Sequence, residues 1–453
     1  MTLRYARAAV PAGQAGARWW TIGLIALALG ACGDLRAQTP PAPAPPSLDL
    51  AALLWEAEAN SPYVAAALSR RDASAAVPSQ LEALPDPIAG VSYTNAGLST
   101  WTLGDDPDSM LTLSWIQEVP NSGKRRLAVD AGRAETEVLS RRADIVRLDL
   151  ASRIKQQYAA VYRIDRATAI LDTNRQLLES FLRTARIRYE TGEGLLENVL
   201  KAQTEASVLD VELVRLAQEM RSVEADLNRL TGRSSAAPLD VALVLPPVVP
   251  IGSDETAQLE AEALAHAPEI LAARAEVHRG EARLEASRGQ AKPDFLWGAG
   301  FGYREDLDPM IMGSFGWRLP VYQKHKQAQG IVQSAAELDV SRLDAAAMHL
   351  SVTAETRDLA AQATRATAIL KLYEDAVIPQ ARSALDSAAA SYGVGRIDFK
   401  TLLDDFGALL RYEIDRETQR AEQVAALAGL ERLTGRVLVP VAGAPRPAVE
   451  GWP

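Results

Sequence analysis

Arg188-Tyr189-Glu190-Thr191-Gly192, followed by Leu230-Thr231-Gly232-Arg233, is the stretch that decides the fold of this chain. The same signature returns near the C-terminus as Ser391-Tyr392-Gly393-Val394-Gly395 and Leu433-Thr434-Gly435-Arg436. In both copies a tyrosine stands 43 residues before the glycine of Leu-Thr-Gly, and the copies lie 203 residues apart. This equal spacing indicates an internal duplication, which has to be recognised before any element is assigned.

Three further landmarks recur upstream in the same order, with offsets of 200 to 208 residues. They are Asn60-Ser61-Pro62 with His266-Ala267-Pro268, Pro85-Asp86 with Pro293-Asp294, and Val119-Pro120 with Leu319-Pro320. Five ordered landmarks predict two homologous repeats, at 48–235 and 256–437. The remaining segments are a signal peptide at 1–31, a proline-rich linker at 32–47, an inter-repeat linker at 236–255 and a C-terminal tail at 438–453.

Each repeat is expected to contain a helix, two short strands, one very long helix, a glycine break and a final helix. The opening helices are expected at about 48–74 and 256–290. Between Pro120 and Pro238 the sequence runs for 117 residues without a proline. A helix over 124–190 would be roughly 100 Å long at ~1.5 Å per residue, far longer than a compact domain needs. Pro379 interrupts the equivalent helix of the second repeat, so a kink or a relaxed turn is expected there.

Two strand pairs, at about 86–120 and 293–320, alternate between two kinds of side chain. One face of the third strand carries Phe295, Trp297, Ala299, Phe301 and Tyr303, and the other carries Leu296, Gly298, Gly300, Gly302 and Arg304. The two segments hold nine of the chain's 25 aromatic residues, and aromatic residues gather at membrane interfaces. The strands are therefore predicted to cross a membrane. The alternative is a soluble pair of hairpins packed on the helices.

Four strands cannot close a barrel around a pore, and open sheet edges cannot face lipid. Several copies must therefore each contribute four strands, and three copies would give twelve. The predicted fold class is α+β, with a four-stranded contribution to an oligomeric transmembrane β-barrel joined to long periplasmic helices. The loops 96–109 and 304–309 would lie outside the cell. They carry Asp105, Asp106, Asp108, Glu305, Asp306 and Asp308.

The N-terminus has the pattern of an export signal. Three arginines precede an apolar run over 19–29, and Leu29-Gly30-Ala31-Cys32 overlaps its end. A basic start, a short apolar segment and small residues at the cleavage point are typical of a signal peptide. The last four residues also resemble a bacterial lipobox, so Cys32 is predicted to be acylated. Ordinary cleavage near Ala37-Gln38, with loss of the cysteine, is the alternative.

The composition argues against several classes of function. A net charge of −10 disfavours a general nucleic-acid-binding protein. The chain has no nucleophile elbow, phosphate-binding loop or dinucleotide fingerprint, so neither an enzymatic activity nor a cofactor is predicted. The histidines are not paired at metal-ligand spacing and the methionines form no cluster, so no metal site is predicted. The histidines are His266, His278, His325 and His349.

Two repeats of strand, strand, long helix and helix, marked by Tyr-x-x-Gly and Leu-Thr-Gly, resemble the TolC outer-membrane efflux family. The resemblance covers about residues 48–437. It implies a trimer with a twelve-stranded barrel and a periplasmic α-helical barrel about 100 Å long. It also implies docking to a periplasmic adaptor and an inner-membrane pump, expected to be of the RND type. An acylated Cys32 resembles the drug- and heavy-metal-efflux branch, and Gln117–Lys124 with Asp308-Pro309-Met310 and Leu319-Pro320 resembles its heavy-metal subgroup.

The resemblance also implies a closing aperture at the helix tips that follow Tyr-x-x-Gly. The family's two acids fall nine and twelve positions after this tyrosine, where the chain has Thr401 and Asp404. One acid therefore matches, and Asp398 and Asp405 are the neighbouring substitutes. In a trimer each acid is present three times, and such a ring attracts cations. The closed aperture is expected to be held by Arg396 and Lys400.

Four glycines are expected to permit the tight turns between the helices at the tips, where an adaptor tip is also expected to dock. They are Gly192, Gly194, Gly393 and Gly395. The predicted function is a passive outer-membrane exit duct for small solutes such as metal ions or drugs. Two alternatives stay open, a type I secretion channel for polypeptides and a soluble periplasmic coiled-coil adaptor or structural protein. The second explains the helices but not the aromatic strands that match in both repeats.

Overall fold

The computed structural model describes residues 49–98, 100–103, 105–239, 244–252 and 254–444. The predicted signal peptide and Cys32 lie outside these residues, as do 32–47 of the linker and the end of the C-terminal tail. Within the described ranges, the helices are all too short or too polar to cross a membrane.

The two repeats have the same order of helices and strands, apart from a short third helix in the first and a π-helical turn that divides the long helix of the second. The first contains α1 (Leu50–Asn60), α2 (Pro62–Ala75), α3 (Val77–Glu82), β1 (Ile88–Thr94), β2 (Met110–Val119), α4 (Ser122–Glu190) and α5 (Leu196–Thr231). The second contains α6 (Thr256–His266), α7 (Pro268–Gly289), β3 (Asp294–Tyr303), β4 (Met310–Arg318), α8 (Gln327–Leu372), a π-helical turn (Tyr373–Val377), α9 (Ile378–Gly393) and α10 (Phe399–Thr434). The duplication predicted from the spacing is present in the fold.

The opening helix of each repeat is divided in two, which corrects the single helices expected at about 48–74 and 256–290. Pro62 and Pro268 stand in the first turns of α2 and α7. A proline fits the start of a helix because it has no N–H to donate, and it ends the helix before it. The first break also receives the end of α5, since a Cβ on Gly232 would lie 2.5 Å from Asn60 O. The landmarks Asn60-Ser61-Pro62 and Leu230-Thr231-Gly232 of the first repeat are therefore in contact with each other.

The long helices of the two repeats differ in continuity. α4 runs for 69 residues, about 100 Å at ~1.5 Å per residue. Lys124 at its start forms an ion pair with Asp294, with Nζ 2.9 Å from Oδ2, which ties α4 to β3. In the second repeat the π-helical turn lies directly before Pro379, which stands in the first turn of α9. This confirms the relaxed turn expected there, because proline removes a donor from the helical ladder and its ring crowds the preceding turn.

The strands form one antiparallel sheet in the order β1-β2-β3-β4. The register aligns a row of apolar residues across it, Val91, Leu113, Phe301 and Ile311. These four side chains are between 47% and 88% exposed. The next row, on the opposite face, is Gly90, Ser114, Gly300 and Met312. The predicted alternation is confirmed, and within the described residues β1 and β4 each have one edge without a partner strand.

The C-terminal segment folds back against the long helices around one buried ion pair. Lys155 on α4 donates from Nζ to Glu431 Oε1 on α10, at 2.6 Å, and to Val439 O, at 3.3 Å. The backbone N–H of Val439 donates to the other oxygen of Glu431, at 3.1 Å. Lys155 and Glu431 are 7% and 8% exposed. The pair therefore joins both repeats and the C-terminal segment at a single point.

Candidate functional site

The turn between α4 and α5 is the first of two helix tips that hold the predicted site residues. Gly192 has a φ of 78°, in the left-handed region that glycine adopts without strain. The N–H groups of Glu193 and Gly194 both donate to Arg188 O, each at 2.9 Å. A Cβ on Gly194 would lie 3.1 Å from Arg188 Cβ. The chain thus turns back so close to α4 that the turn leaves little room for a side chain.

The turn between α9 and α10 forms the second tip. Gly395 has a φ of 73°, and the N–H of Arg396 donates to Ser391 O at 2.9 Å. A Cβ on Gly395 would lie 2.8 Å from Nη2 of Arg188, which belongs to the first tip. Gly393 differs from the other three glycines. It is the last residue of α9, it lies outside the left-handed region, and no atom would crowd a Cβ there.

Arg188 joins the two tips, a contact that the sequence reasoning missed. Its guanidinium donates to the carbonyl oxygens of Tyr392, at 2.6 Å, and Gly393, at 3.3 Å. It also lies 5.3 Å from the centre of the Tyr392 ring. Burial raises the pKa of the Tyr392 hydroxyl, and Arg188 and Asn198 act in the opposite direction. The sequence offered one indication of this contact. Arg188 directly precedes the tyrosine of the first Tyr-x-x-Gly, at the position that Ser391 holds in the second.

Aromatic side chains fill the core beneath the tips. The rings of Tyr392 and Phe399 are 5.1 Å apart, and both residues are buried. Phe181 of α4 meets Phe406 of α10 edge to face, with ring centres 6.0 Å apart. These contacts join the two repeats at the tips, beneath the acids at the start of α10.

The predicted aperture residues lie in or just before the first two turns of α10. Asp404 is exposed, and its Oδ2 is 3.7 Å from Lys400 Nζ, one turn earlier on the same helix. Asp405 is half-buried, and Arg396 has an exposed side chain before the helix begins. The structure places these groups together at one tip, and Lys400 forms an ion pair with Asp404 within the same helix.

Asp398 is also the N-cap residue of α10. Its Oδ1 accepts hydrogen bonds from the hydroxyl of Thr401, at 2.6 Å, and from the backbone N–H of the same residue, at 2.9 Å. These two bonds, the hydroxyl first, lower the pKa of the Asp398 carboxyl. The charged form is therefore the one that the folded tip prefers.

Two substitutions of Asp398 distinguish the effect of its capping hydrogen bonds from the effect of its charge. Asp398→Asn is expected to keep the first turn of α10 protected, because the amide oxygen still accepts the Thr401 N–H. Asp398→Ala is expected to speed hydrogen exchange of that N–H several-fold at neutral pH. Because the folded pKa lies below the unfolded value of about 3.9, the stabilisation is present above that value and is lost as pH falls through the folded pKa. Equal protection in the wild type and Asp398→Ala would show that the cap contributes nothing.

Among the residues that the structure describes, no three His, Cys, Asp or Glu side chains converge on a position for a metal ion. The tips present carboxylates and cations at a surface, an arrangement that attracts or repels ions.

Known proteins resemble this chain in sequence and in fold. No family model matches the chain. It is 24% identical over 316 residues to the outer membrane efflux protein BepC of Brucella suis, covering 67% of each chain. It is 21% identical over 318 residues to the cobalt-zinc-cadmium resistance protein CzcC of Cupriavidus metallidurans, covering 69% of this chain and 74% of that protein. The solved outer-membrane channel OprN has the same fold, with a TM-score of 0.74 at 15% identity over 86% of this chain and 91% of that one. The resemblance to TolC-like outer-membrane efflux proteins is confirmed.

Proposed function

We propose that this chain is one subunit of a trimeric outer-membrane efflux channel, the exit duct of a tripartite pump. The sheet is the observation that carries the proposal. In the part of the chain that the structure describes, one of its faces is apolar and exposed, its two outer edges lack partner strands, and all four strands connect to helices at the same end. Because a bilayer offers no water to unpaired backbone groups, β1 of one copy must pair with β4 of the next.

Three copies supply twelve strands, enough for a barrel with an aqueous interior. The exposed face, with its aromatic side chains, meets lipid, and the face of glycine, serine and threonine lines the pore. α4 and its counterparts extend the duct through the periplasm to the tips. Acylation of Cys32 would add a lipid anchor at the N-terminus.

The pore carries small solutes, metal ions or drugs, that a periplasmic adaptor and an inner-membrane pump of the RND type deliver to it. The two relatives support this range, since one is an efflux protein and the other a cobalt-zinc-cadmium resistance protein. The exposed acids near the α10 tip suit a passage for cations.

Conductance in planar lipid bilayers tests the proposal. The purified full-length protein is expected to run as a heat-modifiable oligomer, to be found in the outer-membrane fraction, and to open discrete channels in bilayers. A soluble monomer in the periplasmic fraction that opens no channels would overturn the proposal in favour of a coiled-coil adaptor. Conducting channels that restore secretion of a polypeptide but not export of a metal or drug would favour the secretion alternative.

The acids at the tips give a prediction for the aperture. Asp404→Ala combined with Asp405→Ala is expected to raise single-channel conductance and to weaken the preference for cations, because a ring of carboxylates at the narrowest point governs both. A double variant on α8, Asp339→Ala with Asp344→Ala, removes the same number of carboxylates away from the tips and serves as the control. Unchanged conductance and ion preference in the first variant would remove both residues from the aperture.

A further inference from the structure

Three of the chain's six methionines lie on one face of the sheet, at the end where the strands meet the loops. Met110 is the first residue of β2, Met310 is the first of β4, and Met312 lies two residues further along β4. Met110 and Met310 are 200 residues apart, the offset that relates Val119 to Leu319, so the repeats place them equivalently. The expectation of no methionine cluster is corrected here, because only the strand register brings these residues together.

The three side chains lie over two glycines of the intervening strand, Met110 and Met310 over Gly302 and Met312 over Gly300. The register pairs Gly302 with Met310 and Gly300 with Met312. A Cβ on Gly302 would lie 3.0 Å from Met110 Sδ and 3.6 Å from Met310 Cβ, and a Cβ on Gly300 would lie 3.2 Å from Met312 Cε. The backbones of β2 and β4 are about 10 Å apart. Because the glycines of β3 have no side chains, the space above β3 is open to the methionines. Gly302 is buried as a result.

Their surroundings differ from those of the methionines on the helices. Met220 and Met348 pack against buried apolar clusters between long helices. In the half of the sheet nearer the loops, Met110, Met310 and Met312 instead share a face with serine, threonine and glycine, opposite the apolar face that meets lipid. Burial in lipid or in a protein core therefore does not explain why they are apolar. What distinguishes a methionine from a leucine of similar volume is its polarisable sulfur.

We propose that Met110, Met310 and Met312 form a thioether site for a soft monovalent cation, Cu⁺ or Ag⁺, at the exit of the pore. Thioether sulfur selects soft ions, whereas the carboxylates at this end of the sheet, which attract hard divalent cations, lie on the loops. A neutral ligand set holds a cation without charge neutralisation, which suits a site that must release its cargo. This inference rests on the proposed function, because only a closed trimer places three such sites around one pore.

The charges of the adjacent loops favour the approach of a cation. The loops 95–109 and 304–309 contain six carboxylates and one cationic residue, Arg304. The Arg304 guanidinium is held by carbonyl oxygens, with Nε 3.0 Å from Asp308 O and Nη1 3.2 Å from Pro107 O. The net field at this end of the sheet is therefore negative, and it raises the local concentration of cations beside the sulfurs.

Silver binding to the purified full-length channel tests the site, with Ag⁺ as the probe because it is not oxidised in air. In protein labelled with ¹³C at the methionine methyl groups, Ag⁺ is expected to shift the resonances of Met110, Met310 and Met312 and to leave Met220 and Met348 unmoved. The triple variant Met110→Leu, Met310→Leu, Met312→Leu keeps the side-chain volume. It is expected to lose at least about tenfold in Ag⁺ affinity, a change of about 1.4 kcal/mol.

The matched control is Met220→Leu with Met348→Leu, which is expected to bind Ag⁺ as the wild type does. Equal affinity in the triple variant and the wild type, or shifts confined to Met220 and Met348, would overturn the site. The resonances of the wild type decide the question even if the triple variant fails to assemble. Conductance without Ag⁺ separates the two proposals, because channels that conduct but bind no Ag⁺ contradict the thioether site alone, whereas protein that opens no channels contradicts the proposed function.

Discussion

Leu113→Arg is expected to abolish assembly of the channel in the outer membrane. Leu113 is 58% exposed near the middle of β2, and its row neighbours on all three other strands are apolar. Arginine at the midplane of the lipid-facing surface of a barrel costs about 2–4 kcal/mol. In a trimer that cost is incurred three times, so the heat-modifiable oligomer is expected to disappear from the outer-membrane fraction.

Ser114→Arg is the matched control on the next residue, which points to the opposite face. Ser114 lies beside Gly90 in the register, so an arginine there has free space on the side of β1. This variant is expected to assemble normally and to shift ion preference towards anions, because it adds a ring of positive charge to the pore. If Leu113→Arg assembled and Ser114→Arg failed to assemble, the lipid-facing and pore-facing sides of the sheet would be the reverse of those proposed.

Lys155→Met is expected to destabilise the helical part by about 3–5 kcal/mol, the effect of leaving one charge of a buried pair without its partner. Glu431 would keep its hydrogen bond from Val439 but lose the cation that balances it. The contacts between α4, α10 and the C-terminal segment depend on this ion pair. The midpoint of denaturant unfolding, followed by helical circular dichroism, measures the loss.

A second change is expected to restore much of that stability. Glu431→Gln added to Lys155→Met removes the remaining charge and keeps an oxygen that accepts the Val439 N–H. Replacing both members of a buried ion pair with neutral residues of similar volume commonly recovers most of the free energy of unfolding that is lost when one member is removed. A double variant no more stable than Lys155→Met would show that the loss comes from packing rather than from the uncompensated charge.

The sequence predicted most of the fold because its signals were periodic or repeated. The 200 to 208 residue offsets located the two repeats, the proline-free stretch after Pro120 matched α4, and alternation assigned the faces of the strands. The breaks at Pro62 and Pro268 were missed, since a proline in the first turn of a second helix is hard to distinguish from one inside a single helix. Those errors left the position of the strands and of the tips unaffected.

The candidate sites were less predictable, because they depend on contacts between residues far apart in sequence. Arg188 reaches Tyr392 across 204 positions, and neither residue alone indicates the bond. The cap made by Asp398 is local and was within reach, because an aspartate directly before a helix commonly accepts its first N–H groups. The methionine cluster depends on strand register, which hydrophobic alternation constrains only to one of two faces.

Closure of the barrel between copies is tested most directly by disulfide cross-linking across the two open edges. Ala89→Cys on β1 is combined in turn with Gly313→Cys, Phe315→Cys or Trp317→Cys on β4, all on the lipid-facing side, with the single variants as controls. At least one register is expected to give dimers and trimers on non-reducing gels, with trimer as the largest product. The absence of cross-links in every register, or bands that continue beyond three copies, would contradict a trimer closed by pairing β1 with β4.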